Sequence, residues 1–210
     1  MGRFQKSQAK NGGIMLKQNR IDKLYKEYKE KFKDFEVVVG EGNIDAEIFL
    51  IGEAPGKDEV LQGKPFVGMA GKNLSFFLDN IKVDRKDIYI TNTIKYRLSK
   101  INPKSGRVVN RPTTAKDLEL NLEYLYKEID IINPKYIVTL GNVPLKAVTN
   151  DKSTNIGDVH GTLRDISIKS KNYMIFPLYH PASIIYNRSL KDVYLNDMIQ
   201  FSNIIKNGEN

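Results

Sequence analysis

The stretch that decides the fold is residues 47–56, EIFLIGEAPG, a short apolar run that leads into a turn rich in Gly and Pro. Three further runs, at residues 88–91, 136–140 and 173–177, are equally short and rich in Ile, Val, Phe or Tyr, as buried strands are. Longer amphipathic stretches between them predict helices at residues 71–81, 115–132, 143–148 and 190–205. This alternation predicts a three-layer α/β/α fold with helices on both sides of a central, mostly parallel, four-stranded sheet.

The chain before the first predicted strand has a different composition and a different spacing of apolar residues. Residues 21–35 place Leu24, Tyr25, Tyr28 and Phe32 at roughly helical spacing, which predicts a helix. Residues 1–20 are basic and contain few apolar side chains, so we expect a flexible leader there and an α/β domain over residues 21–210.

Composition excludes several classes of protein. The 210 residues are 40% hydrophobic and 28% charged, and no apolar run approaches the length of about 18 residues that a membrane span needs. We therefore expect no membrane partner. We also expect a monomer located in the cytoplasm. The chain has no Cys, which excludes disulfides, thiolate nucleophiles and Cys-ligated metals, and its two His residues, His160 and His180, leave little for a metal site. We expect no metal.

Charge points to a polyanionic partner. The 33 basic and 25 acidic side chains give a net charge of +8, which raises the odds of nucleic acid binding. Residues 95–111 contain no acidic residue but six basic ones, namely Lys95, Arg97, Lys100, Lys104, Arg107 and Arg111. One interpretation is an arm that contacts DNA phosphates. The alternative is a solvated surface loop.

Polar side chains follow three of the predicted strands. Glu53 follows the first within a glycine-rich segment, Asn92 follows the second, and His180 follows the last. Because the carboxyl ends of parallel strands meet at one edge of a sheet, we expect the three side chains to share a crevice. Taken singly, Glu53 on a solvent-facing turn and His180 in a structural role remain alternatives. The glycine spacing matches neither a phosphate-cradling loop nor a dinucleotide fingerprint.

Several ordered motifs resemble the family-four uracil-DNA glycosylases over about residues 37–189. They are GEAPG at 52–56, GKPFVG at 63–68, TNTIK at 91–95, Asn133 with Pro134, Leu140 with Gly141, and His180 with Pro181. The resemblance implies a parallel sheet flanked by helices, and excision of uracil from DNA to leave an abasic site and free uracil. An enzyme with another base preference, such as hypoxanthine or xanthine, and a catalytically silent DNA-binding relative are the alternatives.

The resemblance also implies roles for individual residues. Glu53 and His180 would be catalytic, the first acting on the attacking water and the second supporting charge on uracil O2. Phe66 would stack on the extruded base, Asn92 would read its edge, and Gly52 belongs to the same base-binding set. The residues expected to contact DNA are Lys95, Lys104, Arg107, Arg111, Tyr186 and Arg188, and Ile184, Ile185 or Tyr186 would fill the gap left in the helix.

The chain departs from that family at three places. One is the wedge segment after His180 and Pro181, where the family commonly carries an Arg and this chain has Tyr186, with Arg188 two places later. Family-four enzymes usually hold a four-Cys iron–sulfur cluster, whereas this chain places Tyr25, Tyr28, Tyr96 and Asn121 at the corresponding positions. We expect a cluster-free variant held by aromatic packing; loss of activity together with the cluster is the alternative. The long basic loop resembles that of a related group that captures its product through a His, but Asn110 stands at the comparable place. We therefore expect turnover without covalent capture.

Overall fold

A central β-sheet organises the chain. The structure is a computed structural model that describes residues 2–208, with side chains from residue 12 onward. Its main sheet has six strands in the order β1-β3-β2-β6-β8-β7, of which β3, β2, β6 and β8 are parallel neighbours. The strands are β1 (Glu41–Gly42), β2 (Ile48–Gly52), β3 (Tyr89–Asn92), β4 (Ser99–Ile101), β5 (Val108–Asn110), β6 (Tyr136–Leu140), β7 (Arg164–Ile168) and β8 (Lys171–Leu178).

The predicted mostly parallel sheet is confirmed, but it has six strands, not four. The four apolar runs form its parallel centre, and the two strands missed by the sequence, β1 and β7, are antiparallel edges. An edge strand carries little apolar signal, because β1 has only two residues and β7 is largely exposed. The tight turn between β7 and β8 places Lys169 and Ser170 at positive φ, without the glycine that usually signals such a hairpin.

Helices cover both faces of the sheet, which confirms the three-layer fold. On β2, Phe49 and Ile51 face the core under the helices at residues 2–31, 115–132 and 142–149, whereas Ile48 and Leu50 face the core under the helices at residues 69–80 and 190–207. None of the helices in the described residues is both long and apolar enough to cross a membrane. The helices are α1 (Gly2–Lys31), α2 (Lys57–Gln62), α3 (Met69–Asn80), α4 (Ala115–Ile132), α5 (Asn142–Thr149), α6 (Ile156–Val159), α7 (Ser183–Tyr186) and α8 (Leu190–Asn207).

The N-terminal segment differs from the expected leader, because α1 is continuous from Gly2 to Lys31. The boundary predicted after residue 20 therefore falls inside a helix. Contacts made before that boundary hold the first part of the helix in place: Ile14 packs against the core, and Lys17 Nζ lies 2.8 Å from Asp45 Oδ1 and donates to the carbonyl of Ile132.

A buried ion pair joins the end of β3 to α4. Lys95 is only 1% exposed, and its Nζ lies 2.7 Å from Glu128 Oε2. The same ammonium donates to the carbonyl of Asn92, while the Glu128 carboxylate also accepts from the hydroxyls of Thr91 and Tyr25. The expectation that Lys95 contacts DNA is corrected here, because its charge is neutralised inside the protein.

The basic stretch that follows Lys95 is an ordered hairpin of β4 and β5. Its charges are partly compensated by acidic residues outside the stretch: Arg111 makes two contacts of 2.7 and 2.9 Å with the Asp117 carboxylate, and Arg97 lies 3.6 Å from Glu36. Lys104 and Arg107 occupy the exposed tip. Within the described residues, Lys100, Lys104 and Arg107 are exposed and have no acidic partner, so part of the positive charge of the hairpin stays uncompensated.

Removing the acidic member of the buried pair tests its contribution to stability. We expect Glu128→Gln to lower the free energy of unfolding by about 3 kcal/mol, because it leaves the Lys95 ammonium buried without a counter-charge. Glu123→Gln is the matched control on the same helix, since the exposed partners Lys127 and Lys169 predict a loss below about 1 kcal/mol. Urea denaturation measures both, and equal losses would contradict this account of the pair.

Candidate active site

The crevice lies at the carboxyl edge of β2 and β3. Gly52 and Asn92 are direct partners in the parallel register, and the backbone N–H groups of Thr93 and Ile94 donate to the carbonyls of Gly52 and Glu53 at 2.8 and 3.0 Å. Backbone hydrogen bonds therefore join the two strand ends where Asn92 ends β3 and Glu53 follows β2. Asn92 is 3% exposed, whereas Glu53 is half-buried.

Phe66 brings an aromatic surface into the same crevice. Its ring centroid lies 6.1 Å from that of His180, at 32° between the ring planes. A side chain at Gly52 would overlap both Asn92 Oδ1 and the Phe66 ring, so only glycine allows these groups to approach. The structure thus brings together Gly52, Glu53, Phe66, Asn92 and His180, the set expected from the sequence.

The conformation of Phe66 is held by two groups. Its φ of 54° is in the left-handed region, which an aromatic residue rarely adopts. The Arg85 guanidinium donates to the carbonyls of Pro65 and Phe66 at 2.6 and 3.1 Å, and Gly71 lies so close to the Phe66 carbonyl that no Cβ fits. Arg85 and Gly71 therefore fix the aromatic platform from behind.

Glu59 joins the two glycine-rich loops. Its carboxylate accepts from the backbone N–H groups of Gly56, Val67 and Gly68 at 3.1, 3.1 and 2.8 Å. The Glu59 carboxylate thus links the loop that carries Glu53 to the loop that carries Phe66. Sequence reasoning missed both Glu59 and Arg85. A signal existed for Glu59, which stands three residues after the Gly56 N-cap, where a capping box places its Glu.

Thr113 orients the carboxylate of Glu53. The Thr113 hydroxyl donates to Glu53 Oε1 at 2.5 Å. Thr113 lies between the basic hairpin and α4, far from Glu53 in sequence, so no local pattern identified it. Within the described residues, Glu53 Oε2 has no hydrogen-bond partner.

His180 is arranged as a neutral hydrogen-bond donor. The backbone N–H of Ala182 donates to its Nδ1 at 3.1 Å, so the neutral imidazole carries its proton on Nε2. Burial lowers the pKa of His180, and this outweighs the opposite effect of the Glu53 and Glu59 carboxylates. Gly141, at a φ of 95°, approaches the His180 Cβ and limits movement of the ring's base.

The residues expected to contact DNA are distributed unevenly. Lys104 and Arg107 at the hairpin tip, together with Tyr186 and Arg188 in and after α7, are exposed, and Tyr186 is 89% exposed. The hairpin follows β3 and α7 follows β8, so both lie on the side of the crevice. Lys95 is buried, and Arg111 is engaged with Asp117.

Three of the four expected cluster-ligand positions meet in one hydrogen-bonded group. Tyr28 donates from its hydroxyl to Asn121 Oδ1 and accepts the backbone N–H of Lys95 at 3.0 Å, while Asn121 Nδ2 lies 3.4 Å from the Tyr96 hydroxyl. Phe32 packs between Tyr28 and Tyr96, with ring centroids 4.5 and 5.1 Å away.

The fourth position, Tyr25, is engaged elsewhere with Glu128 and Tyr89. These side chains do not fit an iron–sulfur cluster, because none is a thiolate and the sequence contains no Cys. In the described part of the chain, moreover, no group of three His, Cys, Asp or Glu side chains is placed to hold a metal ion.

Fold and site together define an α/β protein whose crevice, at the carboxyl edge of a parallel sheet, combines an aromatic ring, a buried amide, a carboxylate and an imidazole. Comparison with known proteins gives the family. Residues 39–200 match the uracil DNA glycosylase superfamily. The chain is 37% identical to a type-4 uracil-DNA glycosylase of Archaeoglobus fulgidus, an alignment that covers 76% of this chain and 77% of the relative.

Two further type-4 uracil-DNA glycosylases support the same assignment. The relative from Saccharolobus solfataricus is 38% identical over 76% of this chain and 72% of its own length, and that from Thermotoga maritima is 36% identical over 81% and 83%. The chain therefore belongs to the uracil-DNA glycosylase superfamily.

The tyrosine and asparagine group should contribute measurably to stability. We expect Tyr28→Phe to lower the free energy of unfolding by about 2 kcal/mol, because it leaves Asn121 Oδ1 and the Lys95 N–H buried without a partner. Tyr124→Phe is the matched control, since Tyr124 packs against Tyr28 but its hydroxyl has no hydrogen bond within the described residues. A loss confined to Tyr28→Phe in thermal or urea unfolding supports this view; equal losses would oppose it.

Proposed function

We propose that this chain is a DNA repair hydrolase that cleaves the N-glycosidic bond of uracil in DNA and leaves an abasic site and free uracil. The observation that carries the proposal is the convergence of Glu53, Phe66, Asn92 and His180 on one crevice. The type-4 uracil-DNA glycosylases that align with most of the chain support the same activity.

The charges of the reaction match the charges of the crevice. As the bond from C1′ to N1 breaks, positive charge develops on the deoxyribose and negative charge on the departing uracil. Glu53, oriented by Thr113, stabilises the sugar and accepts a proton from the water that adds to C1′. His180 donates its Nε2–H to uracil O2, and the uracil anion then takes its proton from solvent. A neutral His180 suits this role because its Nε2–H is a weak acid, which donates a hydrogen bond to uracil O2 and keeps its proton.

Base selection rests on Asn92 and Phe66. Uracil presents an acceptor at O4 and a donor at N3, which the amide NH2 and carbonyl of Asn92 match. Cytosine presents the reverse pattern and leaves both amide groups unpaired. Because Asn92 is buried, such a mismatch costs about 2 kcal/mol or more. Phe66 replaces part of the stacking that the base loses when it leaves the helix.

DNA reaches the crevice between two exposed elements. The hairpin tip with Lys104 and Arg107 supplies phosphate contacts on one side, and α7 with Tyr186, followed by Arg188, supplies the wedge side. Arg111 lies near the same loop. Its half-buried guanidinium is paired with Asp117, so we expect it to bind DNA phosphates more weakly than Lys104 and Arg107 do.

The proposed reaction proceeds without covalent capture of the product and without a metal or cluster. We further propose that the enzyme acts as a monomer in the cytoplasm. Asn110 accepts a hydrogen bond from Arg97 Nε at 3.3 Å, and an amide in that position is a poor nucleophile toward an abasic sugar. The hydrogen bonds of Tyr28, Tyr96 and Asn121 take over the connection between α1, the basic hairpin and α4 that a cluster would supply.

Excision assays with a matched variant test the activity. We expect the wild type to release uracil from single-stranded DNA or from U·G or U·A duplexes, seen as alkali-labile cleavage, and Glu53→Gln to lower the single-turnover rate about a hundredfold or more. Glu47→Gln, at the opposite end of the same strand, is the control and should retain the wild-type rate. DNA binding should be similar in all three proteins.

The same assay separates the alternatives. Cleavage at hypoxanthine or xanthine in place of uracil would identify a different base preference, and binding without cleavage of any substrate would identify a silent relative. A protein–DNA adduct that survives denaturing electrophoresis would overturn turnover without capture.

Asn92→Asp tests base reading. A carboxylate has no donor for uracil O4 and repels it, so uracil excision should fall about thirtyfold or more. Asn172→Asp, exposed at the opposite end of the sheet on β8, makes the same change of charge and should leave the rate unchanged. Equal rates for wild type and Asn92→Asp would remove Asn92 from base recognition.

A further inference from the structure

A second concave surface lies beside α7, the helix that carries Tyr186. It is formed between α3, α7 and α8, and the side chains that matter to its chemistry are Lys72, Phe76, Ile185, Arg188 and Lys191. We call it the α3–α8 groove. Of these residues, Arg188 was expected from the sequence to contact DNA and Ile185 was one candidate to fill the gap in the helix, whereas Lys72, Phe76 and Lys191 had no expected role.

The groove is positively charged. Lys72, Arg188 and Lys191 are exposed, and no carboxylate is among the side chains that line it in the described residues. The basic residues on the opposite side of the domain differ, because Lys169 and Lys171 there pair with Glu123 and Asp130. Uncompensated cations in a groove favour an anionic occupant.

An exposed aromatic ring stands among these cations. Phe76 is 48% exposed, although its neighbour Phe77 is buried in the core, and Lys191 Nζ lies 5.5 Å from the Phe76 ring centroid. Ile185 contributes a second exposed apolar side chain. Cations combined with an exposed ring are what proteins use to bind single-stranded nucleic acid, where phosphates meet the charges and a base stacks on the ring.

The groove is continuous with the proposed active site. Asn73 on α3 donates from Nδ2 to the carbonyl of Pro181 at 3.0 Å, which ties α3 to the loop that carries His180. Ile184 and Ile185 belong to α7 and also line the groove. A DNA strand that leaves the crevice past α7 therefore enters the α3–α8 groove directly.

We propose that the α3–α8 groove is a second DNA subsite, which binds the substrate strand next to the extruded nucleotide. Lys72, Arg188 and Lys191 contact its phosphates, and one neighbouring base stacks on Phe76. The inference rests on the proposed function and adds to it the path of the strand beyond the crevice. It predicts that affinity depends on substrate length, because a short oligonucleotide fills the crevice alone.

Single-turnover kinetics on substrates of two lengths test the subsite. The substrates are uracil-containing single strands of about 4 and about 16 nucleotides. For the longer strand we expect Lys72→Gln/Lys191→Gln to raise the half-saturating enzyme concentration about tenfold and to reduce the slope of log affinity against log salt by about 1.4, the value for two phosphate contacts. Phe76→Ala should raise the half-saturating concentration with an unchanged salt slope.

Two comparisons decide the result. The saturating rate, and all constants for the short strand, should equal those of the wild type, because the crevice is unaltered. Lys23→Gln/Lys127→Gln removes the same charge from the surface near the start of β8, away from the crevice, and should change neither constant. Equal effects of the two double variants, or none from either, would overturn the groove while leaving excision intact. Absence of excision by the wild type on both lengths would instead refute the proposed function.

Discussion

The parallel pairing of β2 with β3 is the constraint on which the site depends. This register places Gly52 opposite Asn92, and a slip of one residue would turn Asn92 away from the crevice. The buried ion pair of Lys95 and Glu128 holds the end of β3, because the Lys95 ammonium also donates to the carbonyl of Asn92. A charge expected to meet DNA is thus used inside the protein to position the residue proposed to read the base.

A second constraint acts on the aromatic platform. Arg85 and Glu59 bind backbone groups of the loops around Phe66, so the left-handed conformation at Phe66 is maintained by charge-assisted hydrogen bonds. Groups held in this way need no rearrangement when a base arrives, which reduces the cost of binding. The positions of Glu53 and Phe66 are also coupled, since both loops bind the one carboxylate of Glu59.

The side chains at the expected cluster positions provide a different kind of connection. A metal cluster joins chain segments by covalent bonds to thiolates, whereas Tyr28, Tyr96 and Asn121 join the same segments by hydrogen bonds and ring packing. The hydrogen bonds of this buried group are directional, so they fix the relative orientation of the segments as well as their distance. This gives α1 and the basic hairpin fixed places against α4 in a chain that has no Cys.

The sequence by itself determined the four central strands, the longer helices α3, α4, α5 and α8, and the candidate crevice residues Glu53, Asn92 and His180, because apolar runs and the polar residues after them are local patterns. The tertiary structure decided the pairing of the edge strand β1 with β3, the pairing of Lys95 with Glu128, and the roles of Arg85 and Thr113. These depend on contacts between segments far apart along the chain, and an individual charge carries no local signal of the partner it will meet. The physical reason is that burial and ion pairing are properties of the folded neighbourhood, whereas periodicity is a property of the segment.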